Sequence, residues 1–229
     1  MNFSLYAIKP RFQAILDRLA VRLVGARVPA DALTGLGLGA AALSGLLLAT
    51  GGARPGPLVL LVPPLLFVRI ACNALDGMVA RRAGTARPWG TVLNETGDRL
   101  ADLCIFGGLV LSGVLPLPVA GALLPLLLFV SYLGIIGQAA GGARRYEGPL
   151  GKADRALLLG LYCCCAPWFA NVGLLVGWAL IVGLGLTVLN RIVALARDAT
   201  LHGPQTQDTA TLSQETTPQL PQRATEGGR

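Results

Sequence analysis

The chain has 229 residues, 53% of them hydrophobic and 14% charged, with a mean hydropathy of +0.61. That proportion exceeds what a single soluble core buries and predicts a polytopic membrane protein. The net charge of +7 does not indicate a nucleic-acid partner, because the basic residues cluster beside apolar runs, where membrane orientation explains them.

Residues 1–28 place Phe12, Ile15, Leu16, Leu19 and Leu23 at helical spacing, with Arg11, Arg18 and Arg22 on another face. This pattern predicts an amphipathic helix on the anionic cytoplasmic leaflet, with a soluble partner helix as the alternative. No secretory signal is expected, since the first apolar run follows a basic stretch. Six segments of membrane-crossing length come next, near 31–50, 57–82, 89–114, 119–141, 155–170 and 172–196. Pro63 and Pro64 are expected to kink the second of them. The fifth is short, and its junction with the sixth falls at Pro167.

The expected organisation is a juxtamembrane helix (1–28), an all-α six-helix membrane domain (29–198) and a disordered cytoplasmic tail (199–229) rich in Gln, Thr and Pro. Cys163, Cys164 and Cys165 are adjacent in an apolar run, without metal-binding spacing, and read as packing residues. Lys9, Arg11, Arg18, Arg22 and Arg27 precede the first segment. Arg81, Arg82 and Arg87 join the second to the third, and Arg144, Arg145, Lys152 and Arg155 join the fourth to the fifth. The alternate connectors hold only Arg54 or no basic residue. Both termini and these basic connectors are therefore expected in the cytoplasm, as in an inner-membrane protein.

Across the second and third segments runs a polar series. Asn73, Asp76, Gly77 and Ala80 share one helix face, and Gly90, Asn94 and Asp98 recur every four residues on the next. Ionisable groups at such depth face a cavity and serve a function. A purely structural polar seam between helices would not need Gly77, Ala80, Arg81 and Gly90 at these offsets.

The stretch resembles the signature of the CDP-alcohol phosphotransferase family, D-x2-D-G-x2-A-R-x8-G-x3-D-x3-D. Asp76, Gly77, Ala80, Arg81, Gly90 and Asp98 match, while Asn73 and Asn94 stand where the family has its first and third aspartates. The resemblance implies transfer of a substituted phosphoryl group from CDP-diacylglycerol, or a related CDP-alcohol, to a small alcohol, with release of CMP. It also implies a homodimer and one or two Mg²⁺ or Mn²⁺ ions. In its terms Asp98 is the general base, and Asn73, Asp76, Asn94 and Asp98 surround the metal. Asp31, Thr34, Asp76, Gly77, Ala80, Arg81, Arg87 and Gly90 face the donor. Asp31 is also a plausible N-cap of the first helix. The two asparagines remove two negative charges. A second ion would then bind weakly, be held by donor phosphate, or use another carboxylate, Glu95 or Asp102. Arg145, Lys152 and Arg155 are candidate acceptor contacts. The competing readings are a catalytically silent relative that binds CDP-lipid or scaffolds, and a membrane transporter.

Overall fold

A computed structural model describes residues 9–51, 56–139, 145–169 and 171–201. Side chains are described from 15 to 198 within these ranges. The side chains of Lys9, Arg11 and Phe12, the whole of Arg54 and Arg144, and the tail from 202 onward lie outside them.

The described residues form seven α-helices and no strand. These are α1 (Lys9–Gly25), α2 (Ala30–Gly51), α3 (Val62–Arg82), α4 (Pro88–Leu111), α5 (Leu117–Ala139), α6 (Lys152–Cys165) and α7 (Val172–Leu201). A 3-10 turn, Pro57–Leu61, leads into α3. Four elements are long and apolar enough to cross a membrane: Ala30–Gly51, Pro57–Arg82, Leu117–Ala139 and Val172–Asp198. α4 is long enough but carries Glu95, Asp98, Arg99 and Asp102. α6 has 14 residues, about 21 Å of helix against a hydrocarbon core of about 30 Å.

Two sequence expectations change. Pro63 and Pro64 fall in the first turn of α3, which begins at Val62. The N–H groups they lack would have had no helical partner there, so they start the helix instead of kinking it. Asp31 lies inside the first turn of α2, which starts at Ala30, and its carboxylate pairs with Arg87 instead of capping. Helix α7 also continues past residue 198, to Leu201.

Helix α2 packs against both α3 and α4, α5 against α7, and α6 against α3 and α7. One apolar core runs through these helices, with Leu109, Leu123, Leu159, Leu180 and Leu184 almost fully enclosed. A smaller cluster joins Leu16 and Ala20 of α1 to Leu33, Leu75 and Val79. Ile15 and Leu19 of the same helix point outward, exposed. Glycines set the α2–α4 approach. A Cβ on Gly45 would run into the Cys104 carbonyl, and one on Gly108 into the Gly45 backbone. Leu36, Leu46, Phe67, Leu111 and Leu186 are exposed on the outside, an arrangement suited to an apolar solvent. Cys72 and Cys163 are buried free thiols, in line with a packing role, whereas Cys164 is exposed.

The segment before α6 is pinned to α7. Leu150 N–H donates to Thr187 Oγ1 at 3.2 Å, and Arg191 Nε donates to the Glu147 carbonyl at 3.2 Å. Gly148 adopts φ +123° where a side chain would strike Thr187. Asp154 then accepts the Gly151 N–H at 3.0 Å and opens α6. These bonds fix Lys152 at the mouth of the α3–α4 crevice.

Candidate active site

Helices α3 and α4 bring the polar series together because its members recur at intervals of three and four on each helix. Asn73 donates through Nδ2 to Asn94 Oδ1 at 2.7 Å and to Asp98 Oδ1 at 3.0 Å. Asp76 is held by two donors, Thr34 Oγ1 at 2.9 Å and the Gly77 N–H at 2.6 Å. Lys152 reaches in from α6, donating to Asn73 Oδ1 at 3.2 Å and pairing with the other Asp98 oxygen. Asp76 and Asp98 are buried. A carboxylate retained at such depth needs cations and hydrogen bonds, and these are present.

One turn deeper, Asp102 takes a different part from the one expected. Its two oxygens accept from Arg69 Nη2 at 3.1 Å and Arg155 Nη2 at 2.8 Å, and all three side chains are buried. It lines none of the three cavities at the site. Both oxygens being committed to guanidinium groups, Asp102 fastens α4 to α3 and α6 and does not offer a free ligand. Arg69 also reaches the Asp98 carboxylate at 3.7 Å.

Three spaces that share lining residues surround the cluster. The largest, about 640 Å³, is lined by Asp31, Thr34, Asp76, Gly77, Ala80, Arg81, Arg87 and Gly90, together with Asn94 and Glu95. All the residues expected to face the donor therefore share one cavity. A second cavity, about 270 Å³, is lined by Arg145, Lys152 and Arg155, the expected acceptor contacts, and also by Asp98, Arg99, Ser131 and Arg191. Asn94 and Glu95 border both. Between them a space of about 20 Å³ is walled by Thr34, Arg69, Asn73, Asp76, Asn94 and Asp98.

Arg69, Arg99 and Arg191 were not singled out from sequence. Arg69 precedes Asn73 by four residues, so it continues the same stripe, and an arginine within an apolar segment is itself a signal. Arg191, inside the last hydrophobic run, carries the same signal. The Nε atoms of Arg99, Arg145 and Arg155 are buried without a hydrogen-bond partner. The three residues line the second cavity, although these particular atoms are turned away from its space.

No protein-family model matches the chain. Among curated proteins it is 42% identical to the inner membrane protein YnbA of Escherichia coli, over 69% of this chain and 78% of that protein. It is 30% identical to a phosphatidylinositol phosphate synthase of Cutibacterium acnes, over 80% of this chain and 93% of the relative. The chain belongs to the CDP-alcohol phosphotransferase family. An archaetidylinositol phosphate synthase of Aeropyrum pernix, also 30% identical, covers 58% of this chain and 68% of its own length. The fold of this family member matches that of Mycobacterium tuberculosis phosphatidylinositol phosphate synthase with CDP-DAG bound. The TM-score is 0.65 at 22% identity, over 80% of this chain and 94% of that one. The same enzyme in complex with manganese and citrate gives a TM-score of 0.64, again at 22% identity, over 79% of this chain and 88% of that one.

Proposed function

We propose that this protein transfers a phosphatidyl group from CDP-diacylglycerol to a small, phosphate-bearing alcohol at a site between α3 and α4, releasing CMP. The observation that carries the reading is the division of space around Asp98. The larger cavity is lined by the signature residues Asp76, Gly77, Ala80, Arg81, Gly90 and Asn94. A cation-lined cavity is bordered by Asp98, and Asn94 and Glu95 border both. In-line displacement needs attacker and leaving group on opposite sides of one phosphorus.

Asp98 is the general base. Its carboxylate borders the acceptor cavity, held by Asn73 and Lys152, and each oxygen keeps a further lone pair for a proton. The acceptor hydroxyl gives its proton to Asp98 as its oxygen bonds to the β-phosphorus. The pyrophosphate P–O bond breaks, and CMP departs with the bonding electrons. Arg81 and Arg87 stand in the donor cavity, where guanidinium groups suit phosphate or ribose oxygens, and Gly77 and Ala80 leave room for the nucleotide.

Asn73, Asp76, Asn94 and Asp98 offer only oxygen donors, the chemistry of a hard divalent ion. The space they wall, about 20 Å³, admits about one water-sized body. Asp76 with the Asn94 amide oxygen would hold one Mg²⁺ or Mn²⁺ there, and when bound the ion would neutralise phosphate charge. Among the described residues no three His, Cys, Asp or Glu side chains gather around one point, so an ion here would rely on amide and phosphate oxygens as well as carboxylate.

Arg99, Arg145, Lys152, Arg155 and Arg191 line the acceptor cavity against Glu95 and Asp98. That excess of positive charge supports an anionic acceptor. The relatives named phosphatidylinositol phosphate synthase make a phosphorylated polyol the first to try. In the membrane the catalytic unit, residues 29–198, crosses with α2 to α7 as six spans. The basic connectors and both termini lie in the cytoplasm, α1 lies along the interface, the tail stays disordered, and the protein works as a homodimer.

Purified protein given radiolabelled CDP-diacylglycerol and Mn²⁺, with a panel of free and phosphorylated alcohols, tests the function. Lipid product and CMP are expected with a phosphorylated polyol and not with its free alcohol. Absence of CMP with every acceptor rejects the reading.

A further inference from the structure

Lys152 occupies a position that its own helix does not explain. It is the first residue of α6, where the macrodipole disfavours a cation. The loop before it is tied down by Thr187 and Arg191, so the side chain is delivered to one place. There its ammonium bridges Asn73 Oδ1, at 3.2 Å, and the Asp98 carboxylate. Asn73 belongs to the face expected to hold metal, and its amide oxygen is the one a cation would use. The neighbouring Asn94 is neutral as well. The remaining space between the two helices, about 20 Å³, has room for about one further small body.

We propose that the Lys152 ammonium is a resident cation at the Asn73–Asp98 edge of the site, taking the place of one of two divalent ions. The site then works with a single exchangeable metal. The inference rests on the phosphotransfer reading above and deepens it. Two of four carboxylates are replaced by amides, which removes the negative charge a second divalent ion would need. A single positive charge on a flexible stem meets the smaller demand, and it cannot be lost to chelation. Lys152 also orients the Asp98 carboxylate, and it lines the acceptor cavity beside Arg155.

The count of bound ions tests this directly. Full-length protein in nanodiscs is titrated with Mn²⁺ alone and followed by electron paramagnetic resonance. One ion per chain is expected for the native sequence. The variant N73D/N94D with Lys152 retained is expected to bind one, and N73D/N94D/K152M two. Two ions on the native chain, or two on N73D/N94D with the lysine in place, would overturn the proposal. The native count requires no variant to fold. Lys152→Met should lower turnover about a hundredfold, with partial recovery in Lys152→Arg. CMP release by the native protein is measured alongside. Its absence would sink the phosphotransfer reading, whereas the ion count judges Lys152 alone.

Discussion

Lys152 and Asp98 lie 54 residues apart in the chain, yet the lysine ammonium pairs with the buried carboxylate at the centre of the site. The contact joins α6 to α4 across the α3 face, so the connector before α6 and the candidate base are one assembly. A change on either side therefore alters the other.

Asp98→Asn is the direct test of the base. The amide keeps the shape and most hydrogen bonds but accepts no proton. CMP release should fall about 10²- to 10⁴-fold, while CDP-diacylglycerol still protects the protein thermally. A variant with native turnover would remove Asp98 from the chemistry.

Asp102→Asn should behave differently. It leaves Arg69 and Arg155 buried without their shared carboxylate, a change that costs about 3–5 kcal/mol when a buried partner is lost. Thermal unfolding in detergent should show a clear fall in Tm. In the fraction that remains folded, Mn²⁺ affinity should stay close to native. A loss of metal affinity at unchanged Tm would restore Asp102 as a ligand.

Arg145 lies between Glu147, at 3.0 Å, and Asp198, and it lines the cation-rich cavity. Arg145→Ala should raise KM for a phosphorylated acceptor about tenfold to a hundredfold, the value of one or two hydrogen bonds to a charged group. KM for CDP-diacylglycerol should hardly move. Equal rises in both constants would point to a general distortion instead.

The α2–α4 seam depends on the absence of two side chains. Gly45→Ala forces a Cβ into the Cys104 carbonyl, which is backbone and does not swing aside. Overpacking of this kind costs about 1–3 kcal/mol. Because α2 carries Thr34 and α4 carries Asp98, Gly45→Ala should lower both Tm and turnover. Gly39→Ala, whose Cβ would meet nothing, is the matched control and should lower neither.

Pro63→Ala should leave stability within about 0.5 kcal/mol of native. The proline starts α3 and bends nothing. A large loss in urea or thermal unfolding would show that the ring is needed for more than helix initiation.

The sequence by itself determined the helical membrane architecture, the family, and which residues gather on each of the two site helices. Apolar run length and helical period are local properties, so Asn73, Asp76, Asn94 and Asp98 were legible without coordinates. Of the residues expected to face the donor, Asp76, Gly77, Ala80, Arg81 and Gly90 were legible through the fixed spacing of the signature. They share one cavity with Asp31, Thr34 and Arg87. Tertiary structure alone decided what touches what across helices. Asp102 looked like a spare ligand because it follows Asp98 by one turn, but the cations that claim it come from α3 and α6. Arg69 stands out in its apolar run, but its partners Asp98 and Asp102 are set only when α3 is laid against α4. The prolines at 63 and 64 were misread because their effect depends on where the helix starts, which the upstream turn decides. Lys152 reads from sequence as a membrane-orienting charge or an acceptor contact, and only the fold places its ammonium on Asp98. Helical period fixes angles around one axis, whereas ion pairs between helices depend on depth, tilt and register, and only packing sets those.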